Sequence, residues 1–419
     1  MTEIARDDEF EHALDNWVLA AFARGVRSFP ELVAALPGAY PTDIARTVYR
    51  LRGSVPPDWH DSSPVSVSRA VSPAGWPVEH PLDFDWRFTA HAAALLLDRC
   101  GTGVPLVFLG APSLSREAAR RGRRSGVTLV DRNPVIVTAV RESCPGFVAV
   151  CTDLVRGEPV MVGDAALAVA DPPWYPEHTA AFLWAAARLT RVGGQVLLSL
   201  PPEGTRPGIS SERVDAVSSA TSFGLRLVGI EPRALAYSMP PFEHNALVAA
   251  GLTTVPNDWR HGDLATFTVV QRTVERRPCA PGESDDWDEE AVGSVRIKCR
   301  KCSADEFRDP TLSGLVTGDM LTSVSRRDPA RAAVDVWTSG NRVYRCPGSA
   351  IFRVILHCLA REQDPERAVS EALARGLNEV ETTLVRRAAG QAVELVQREE
   401  WELAEYGHRR QERDLVETV

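Results

Sequence analysis

Residues 166–175 read ALAVADPPWY, and this stretch indicates both a fold and a site. The five apolar residues at its start are typical of a strand that is buried on both faces of a parallel sheet. The two prolines that follow fix the backbone and remove two N–H donors, so we expect the strand to end there. Ligands of open parallel sheets bind beyond the carboxyl ends of the strands. We therefore expect Asp171 to lie where chemistry occurs.

Strand-like and helix-like segments alternate on both sides of this stretch. The other apolar strands are expected at 105–110, 127–131, 147–150, 195–201 and 225–232. Amphipathic helical segments separate them, which predicts an α/β fold with a Rossmann-like, doubly wound sheet. We also expect the apolar segments 245–252 and 264–272 to close this sheet with an antiparallel pair.

The length of 419 residues allows two or three domains at roughly 150 residues each. A stretch rich in Pro, Ser and Gly ends near residue 81, and a polar, acidic stretch covers 274–290. These breaks predict three domains. They are a winged-helix-like N-terminal domain with its linker (1–80), a Rossmann-like catalytic domain (81–275), and a C-terminal α+β domain that is winged-helix-like and helical (276–419).

Composition and charge exclude several classes of protein. Hydrophobic residues make up 44% and charged residues 25%, as in ordinary globular proteins. The net charge of −9 argues against a protein whose whole surface binds nucleic acid. The helix-turn-helix-like segment 9–53 is rich in acidic residues, which favours an accessory domain over DNA recognition. The chain shows neither a membrane span nor a secretory signal. We therefore expect a cytoplasmic protein with no membrane partner and with reduced cysteines.

The residues after the strand have definite chemical uses. The prolines leave the Asp171 carboxylate and the neighbouring carbonyls able to accept hydrogen bonds from an amino group. The aromatic pair Trp174 and Tyr175 offers a stacking face for a planar or cationic group. These properties favour a site for an amine-bearing acceptor, whether a small amine, a nucleobase or a peptide.

From about residue 85 to 272 the chain resembles the class I S-adenosylmethionine-dependent methyltransferases. In members of that family that methylate amine nitrogens, the fourth strand ends in Asp, Asn or Ser, then Pro-Pro, then an aromatic residue. The resemblance implies that Asp171 and the Pro172 carbonyl hold the target nitrogen for in-line attack on the methyl group. It places catalysis at Asp171, Pro172, Pro173, Trp174 and Tyr175.

The cofactor site is expected at the ends of the first three parallel strands. Gly110 begins a loop in which backbone amides can approach a ligand, and Asp131 follows about 20 residues later, where a carboxylate can accept ribose hydroxyls. A dinucleotide-binding enzyme shares this arrangement but does not show the DPPWY strand end. The resemblance places S-adenosylmethionine, or its decarboxylated form, at Leu109, Gly110, Ala111, Pro112, Ser113, Asp131, Arg132, Asp153 and Leu154.

A narrower resemblance links the chain to the branched-chain polyamine synthases, which transfer an aminopropyl group from decarboxylated S-adenosylmethionine to an amine. The N-terminal winged-helix-like segment, Leu109-Gly110 with Leu114-Ser115, and the Asp-Pro-Pro strand end carry it. Between these pairs that family has acidic residues, and this chain has Ala-Pro-Ser. Aminopropyl transfer is therefore an alternative to methyl transfer. A third candidate function is that of a non-catalytic regulator, or of a protein that binds peptide or nucleic acid. It is motivated by the loop after Leu109, which lacks the usual glycines.

Several other segments carry residues that could belong to a site. Two aromatic clusters are candidates for lining the pocket: Phe84 with Trp86, and Tyr237, Phe242, Glu243 and Asn245. The pair Cys299 and Cys302 is half of a zinc motif, and without a clear second half it predicts no metal site. The strand pair and helices after residue 334 are typical of a winged-helix unit, which permits leader-peptide docking or a homodimer through the terminal domains.

Overall fold

The computed structural model describes residues 3–36, 38–60, 76–101, 103–157, 164–278, 286–303, 306–326 and 328–414. Most of the predicted N-terminal linker (61–75) and part of the second predicted boundary (279–285) lie outside these residues. The chain divides into two compact units. The first unit comprises Met1–Val67, Trp86–Met239 and Thr254–Gly282, and the second comprises Ser68–Asp85, Pro240–Thr253 and Glu283–Val419.

The helices and strands alternate through the first unit. Its helices are α1 (Glu3–Ala23), α2 (Phe29–Ala35), α3 (Pro41–Arg50), α4 (Ala90–Arg99), α5 (Pro112–Arg120), α6 (Pro134–Ser143), α7 (Pro176–Leu189) and α8 (Ile209–Ser222). Its strands are β1 (Arg87–Phe88), β2 (Leu106–Leu109), β3 (Val127–Asp131), β4 (Val148–Cys151), β5 (Ala165–Ala170), β6 (Thr190–Leu200), β7 (Leu225–Ser238) and β8 (His261–Val269).

These eight strands form one sheet in the order β1-β7-β8-β6-β5-β2-β3-β4. Strands β2 to β6 pair in parallel, and β8 pairs antiparallel with both β6 and β7. The chain begins the parallel part in the middle at β2, runs outward to β4 and returns to β5. The order therefore reverses between β2 and β5, where doubly wound sheets bind ligands. The predicted α/β fold with a Rossmann-like, doubly wound sheet is confirmed.

The antiparallel pair differs from the predicted one. Strand β8 lies where 264–272 was expected, but its partner on the far side is β7, and residues 245–252 belong largely to helix α9 (Pro241–Ala249) in the second unit. Pro241 occupies the first turn of that helix, where its missing N–H costs nothing. A short apolar run does not distinguish a strand from a buried helix, which explains the error.

The N-terminal part of the first unit is helical. A capping box starts α2, because the Ser28 side chain accepts from the Glu31 N–H while Glu31 binds back to the Ser28 N–H. Within 3–36 and 38–60, the recorded β pairing is a single bridge between Ser28 and His60. The helical character is thus confirmed, while a wing remains a prediction.

The second unit has its own five-stranded sheet, in the order β11-β13-β12-β10-β9. The strands are β9 (Trp287–Val292), β10 (Val295–Arg300), β11 (Ser313–Gly314), β12 (Val336–Thr338) and β13 (Val343–Arg345). After α9, its helices are α10 (Ser349–Leu359), α11 (Pro365–Ala372) and α12 (Glu379–Asp414). The predicted hairpin is β12 with β13. Helix α12 continues through Gly390, since one helical glycine costs only about 1 kcal/mol.

The grouping into two units differs from the predicted three domains. The helices α1–α3 group with the Rossmann-like sheet, and the segments 76–85 and 240–253 group with the C-terminal sheet. The boundaries at 81 and 276 remain a prediction, because compactness does not test whether each part folds alone. Among the helices in the described part of the chain, none is both long enough and apolar enough to cross a membrane.

Candidate active site

The expected cofactor loop and the DPPWY segment lie side by side at the switch point. Strands β2 and β5 pair directly, and the Asp171 N–H donates to the Leu109 carbonyl over 3.0 Å. Gly110 has a φ of 62°, and a Cβ there would lie 3.0 Å from the Asp171 carbonyl oxygen and 2.9 Å from the Phe182 ring. Both the conformation and the crowding require glycine. The loop that would receive the cofactor therefore begins against the backbone of Asp171.

A hydrogen-bonded chain of side chains fixes the Asp171 carboxylate. The Tyr237 hydroxyl donates to Asp171 Oδ1 over 2.5 Å, and it lies 2.6 Å from the Ser199 hydroxyl. Trp174 Nε1 in turn donates to Ser199 Oγ over 3.2 Å. Residues from the ends of β5, β6 and β7 thus meet at the carboxyl edge of the sheet. This network brings together the predicted residues Asp171, Trp174 and Tyr237.

Tyr237 is held as a hydrogen-bond donor. Only 3% of the residue is exposed, and its ring packs on Phe88 with centroids 4.8 Å apart and edge-on to Trp174 at 5.7 Å. Burial, followed by the adjacent Asp171 carboxylate, raises the pKa of Tyr237 well above its ordinary value. The phenol therefore stays protonated at neutral pH, where it donates to the Asp171 carboxylate and orients it.

An arginine stacked on tryptophans borders this network. The Arg260 guanidinium lies 4.5 Å from the ring centroid of Trp86, 5.0 Å from that of Trp174 and 5.4 Å from that of Trp259. The backbone carbonyl of Arg260 accepts a hydrogen bond from the Tyr237 N–H over 2.9 Å. Tyr237 therefore contacts both the Arg260 backbone and the Asp171 carboxylate. Contacts of this kind are favourable because an indole face attracts a cation.

The remaining DPPWY residues shape the turn from β5 into α7. Pro172 is buried, and the Tyr175 N–H donates to the Pro173 carbonyl over 2.6 Å. Tyr175 is the N-cap residue of α7, and the Arg206 guanidinium lies 5.5 Å from its ring centroid. The turn therefore points Trp174 into the hydrogen-bonded network and places the Tyr175 ring beside Arg206.

The predicted cofactor residues line three neighbouring strand ends. Ala111 is buried as the N-cap residue of α5, Pro112 opens that helix, and Ser113 is half-buried. The side chains of Leu109 and Leu154 are buried in the hydrophobic core. Either residue would therefore contact a ligand through its main-chain atoms. The loop thus presents backbone and small side chains, as the close approach of a nucleotide requires.

The acidic candidates lie at the ends of the next strands. Asp131 ends β3, and its Oδ1 accepts from the Asn133 N–H over 2.8 Å. Asp153 follows β4, and its Oδ1 accepts from the Val155 N–H over 2.8 Å and the Arg156 N–H over 3.3 Å. Both carboxylates therefore have orientations set by local turns. Arg132, between Asp131 and Asn133, has a carbonyl that accepts weakly from the Cys151 thiol.

Other candidates belong to the second unit. Phe84, Phe242, Glu243 and Asn245 fall there, and the Asn245 amide donates to the Gly340 carbonyl over 2.8 Å. Cys302 Sγ lies 3.2 Å from Ser349 Oγ, and burial raises the pKa of the Cys299 thiol. Within the described ranges, no three His, Cys, Asp or Glu side chains are arranged to hold a metal ion.

Sequence reasoning missed two residues of the network. Ser199 is 1% exposed near the end of β6, and a hydroxyl within the run VLLSLP was a usable signal, because a buried polar group needs a partner. Arg260 carried no signal of its own. Its three tryptophans are far apart in the sequence, and only the sheet order brings two of them to it.

Comparison with known proteins identified similar folds only. No protein-family model matches the chain, and no curated protein matches it. The branched-chain polyamine synthase of Thermus thermophilus, solved with N4-aminopropylspermidine and 5'-methylthioadenosine, is 16% identical with a TM-score of 0.48, over 67% of this chain and 96% of that one. A TehB-like S-adenosylmethionine-dependent methyltransferase of Corynebacterium glutamicum is 16% identical with a TM-score of 0.30, over 42% of this chain and 87% of that one. A protein of Pyrococcus horikoshii described as a putative RNA methyltransferase is 14% identical with a TM-score of 0.33, over 46% of this chain and 90% of that one.

Proposed function

We propose that this protein is an S-adenosylmethionine-dependent transferase that methylates an amine nitrogen held at the DPPWY segment. The observation that carries the proposal is the position of Asp171. Its carboxylate is fixed by Tyr237 over 2.5 Å, and its backbone lies against Gly110, where a Cβ would fill the space beside the loop. An acceptor for an amino group and a loop suited to a nucleotide thus adjoin each other.

The residues at the three strand ends fit such a cofactor. The loop from Gly110 to Ser113 would face it, with N–H groups from Ala111 and Ser113, because the Gly110 N–H donates to the Val130 carbonyl and Pro112 has none. Asp131 with Arg132 would lie at the ribose, and Asp153 with Leu154 would lie near the adenine. When bound, the cofactor supplies an electrophilic methyl carbon on a sulfonium. The protein supplies position, because aligned reactants can gain on the order of 7 to 11 kcal/mol at best.

The acceptor nitrogen would be held by Asp171 and the Pro172 carbonyl through its N–H groups, which aims its lone pair at the methyl carbon. The cofactor would supply its methyl group to this nitrogen, and S-adenosylhomocysteine would leave with the electron pair of the former C–S bond. The nitrogen gains a positive charge and then loses a proton to solvent. Asp171 stabilises the charge that develops on nitrogen, while Tyr237 keeps the carboxylate in place.

Aminopropyl transfer from decarboxylated S-adenosylmethionine is the second candidate. It is supported by the residues that the chain shares with the branched-chain polyamine synthases, Leu109-Gly110 and Leu114-Ser115, and by three helices that precede the sheet. The same attack would then occur at the first carbon of the aminopropyl chain, and the sulfur product would be 5'-methylthioadenosine. A non-catalytic regulator, and a homodimer through the terminal domains, remain further proposals.

The test is product analysis with each cofactor. The purified protein is incubated with S-adenosylmethionine or its decarboxylated form and with panels of small amines, nucleosides and peptides, and the sulfur product is quantified. We expect S-adenosylhomocysteine from the first cofactor, and we expect it to disappear with Asp171→Ala. Release of 5'-methylthioadenosine from the decarboxylated cofactor alone would favour the second candidate. Binding of neither cofactor would support the regulator.

A further inference from the structure

The turn between helices α2 and α3 packs on the carboxyl edge of the Rossmann-like sheet. Gly38, in this turn, has a φ of 82°, and a Cβ there would lie 2.8 Å from both Pro202 Cβ and Thr205 Oγ1. Pro202 and Thr205 belong to the loop after β6, which is parallel to β5, so this loop lies at the edge where β5 ends before Asp171. The N-terminal helices therefore reach the edge of the sheet that carries the proposed acceptor site.

A second contact links the same turn to the segment that precedes β8. The Tyr40 ring lies edge-on to the Trp259 ring, with centroids 5.2 Å apart and an interplanar angle of 88°. The Arg260 guanidinium lies 5.4 Å from the Trp259 centroid and 5.0 Å from the Trp174 centroid. Trp174 belongs to the hydrogen-bonded network that fixes the Asp171 carboxylate. A continuous stack of side chains thus runs from Tyr40 to this network.

Trp259 is positioned by its ring contacts. Only 5% of the residue is exposed, and within the described part of the chain its indole Nε1 is buried without a hydrogen-bond partner. A buried indole N–H usually has such a partner, which helps to fix the ring. Here the edge-on contact with Tyr40 and the cation–π contact with Arg260 take that role. Removal of the Tyr40 ring should therefore let Trp259 move, and Arg260 and Trp174 with it.

The loop after β6 leads to the other aromatic residue of the DPPWY segment. Thr205 precedes Arg206, whose guanidinium lies 5.5 Å from the Tyr175 ring centroid. Because Gly38 packs on Thr205, a displacement of the turn also moves the loop that carries Arg206. The turn is thus linked to both aromatic residues of the proposed acceptor site, each through a different loop.

We propose that the turn between α2 and α3 is part of the acceptor site, and that Gly38 and Tyr40 are positioning residues that hold Tyr175 and Trp174 in place to receive the amine. This inference rests on the proposed function and deepens it, since it gives the N-terminal helices a role in acceptor binding. The cofactor loop after β2 has no part in these contacts. Changes in the turn should therefore alter acceptor binding and spare cofactor binding.

The first experiment follows the Trp174 ring directly. The full chain is labelled with 5-fluorotryptophan and saturated with S-adenosylhomocysteine, and the fluorine resonances of Trp174 and Trp259 are assigned with the Trp174→Phe and Trp259→Phe variants. In Tyr40→Leu both resonances should shift by more than their linewidths, whereas Tyr40→Phe keeps the ring and should keep both wild-type positions. The matched control is Tyr49→Leu, the same change at a residue of α3 that is 71% exposed, and it should shift neither resonance.

The second experiment separates positioning from a general loss of structure. Steady-state kinetics use the panel of amines, with 1,4-diaminobutane, adenosine and trilysine among them. In Tyr40→Leu we expect the KM of the amine that reacts to rise about 2- to 12-fold, the factor that one aromatic pair provides, with kcat changed less and S-adenosylhomocysteine affinity unchanged. Gly38→Ala should also raise this KM, because its Cβ displaces the loop after β6. Its control is Gly25→Ala, since Gly25 has a φ of 96° and no described atom within 4 Å of its Cβ position.

Three results would overturn the inference and leave the proposed function standing. They are a Trp174 resonance that does not move in Tyr40→Leu, a KM that is the same in Tyr40→Leu and Tyr49→Leu, and a fall in S-adenosylhomocysteine affinity as large as the rise in KM. If Tyr40→Leu does not fold, the comparison of Gly38→Ala with Gly25→Ala decides in the same way. If the wild type transfers a group to no amine of the panel, the proposed function fails, and the inference fails with it.

Discussion

Tyr237 donates a hydrogen bond of 2.5 Å to Asp171 across 66 positions of sequence. In the sheet, β8 and β6 lie between the strands that carry these two residues. Gly262, at the start of β8, permits the contact, because a Cβ there would lie 3.2 Å from Trp174 and 3.3 Å from the Tyr237 ring. The carboxylate of the proposed acceptor site is therefore positioned by a residue three strands away.

Replacing Asp171 with alanine should lower turnover sharply while leaving cofactor affinity nearly unchanged. The carboxylate acts on the acceptor nitrogen, whereas the cofactor would lie against the neighbouring loop. We expect kcat/KM to fall about 100- to 1,000-fold, as when one preorganised electrostatic group is lost. Asp215→Ala, at an exposed position of α8, is the control. An unchanged kcat/KM in Asp171→Ala would place the site elsewhere.

Tyr237→Phe tests positioning separately from catalysis. The ring and its contacts with Phe88 and Trp174 would remain, and only the hydroxyl between Asp171 and Ser199 would be lost. We expect stability to fall by about 1 to 3 kcal/mol, since buried partners lose a hydrogen bond, and kcat to fall more than KM changes. Steady-state kinetics and thermal unfolding measure the two effects. Unchanged kcat with reduced stability would make the role purely structural.

Gly110→Ala should weaken cofactor binding. The added Cβ would lie 2.9 Å from the Phe182 ring and 3.0 Å from the Asp171 carbonyl, so the loop must shift. Gly122→Ala is the matched control, because Gly122 also has a positive φ of 82° but has nothing within 4 Å of its Cβ position. Both variants should be less stable by about 1 kcal/mol, because alanine is strained in the left-handed backbone conformation that both glycines adopt. Only Gly110→Ala should lose affinity for S-adenosylhomocysteine; equal affinities would remove the loop from the cofactor site.

Glu399 should make the second unit less stable as the pH rises. Burial raises the pKa of Glu399 to about 7, and the negative charge of Glu402 also raises it. Hydrogen bonds from Thr338 and Gly340 and the positive charge of Arg342, 3.7 Å away, lower the pKa but do not cancel the effect of burial. The folded state therefore binds a proton that the unfolded state releases above about pH 4.5. Stability should fall between about pH 4.5 and pH 7 by up to about 3 kcal/mol.

The variant Glu399→Gln isolates this effect, because glutamine resembles the protonated acid. Thermal unfolding of wild type and variant across that pH range should show the wild type losing stability relative to the variant as pH rises. Parallel curves would mean that Glu399 stays ionised when folded.

The features that the sequence predicted are those with local causes. The apolar run before Asp171 and the prolines after it predicted β5 and its end, and the apolar run that ends in Asp131 predicted β3. The helix at 241–249 was misread because its apolar run is short. The links from Asp171 to Tyr237 and Ser199 depend on strand order, as does the position of Arg260. No local pattern encodes such contacts, since they join residues that only the completed sheet brings together.

The most direct test of the central claim is calorimetric titration of the purified protein with S-adenosylmethionine, its decarboxylated form and S-adenosylhomocysteine. We predict that S-adenosylmethionine and S-adenosylhomocysteine bind and that the decarboxylated form binds more weakly. A preference for the decarboxylated form would contradict methyl transfer, and the absence of binding by all three would contradict the proposed enzyme altogether.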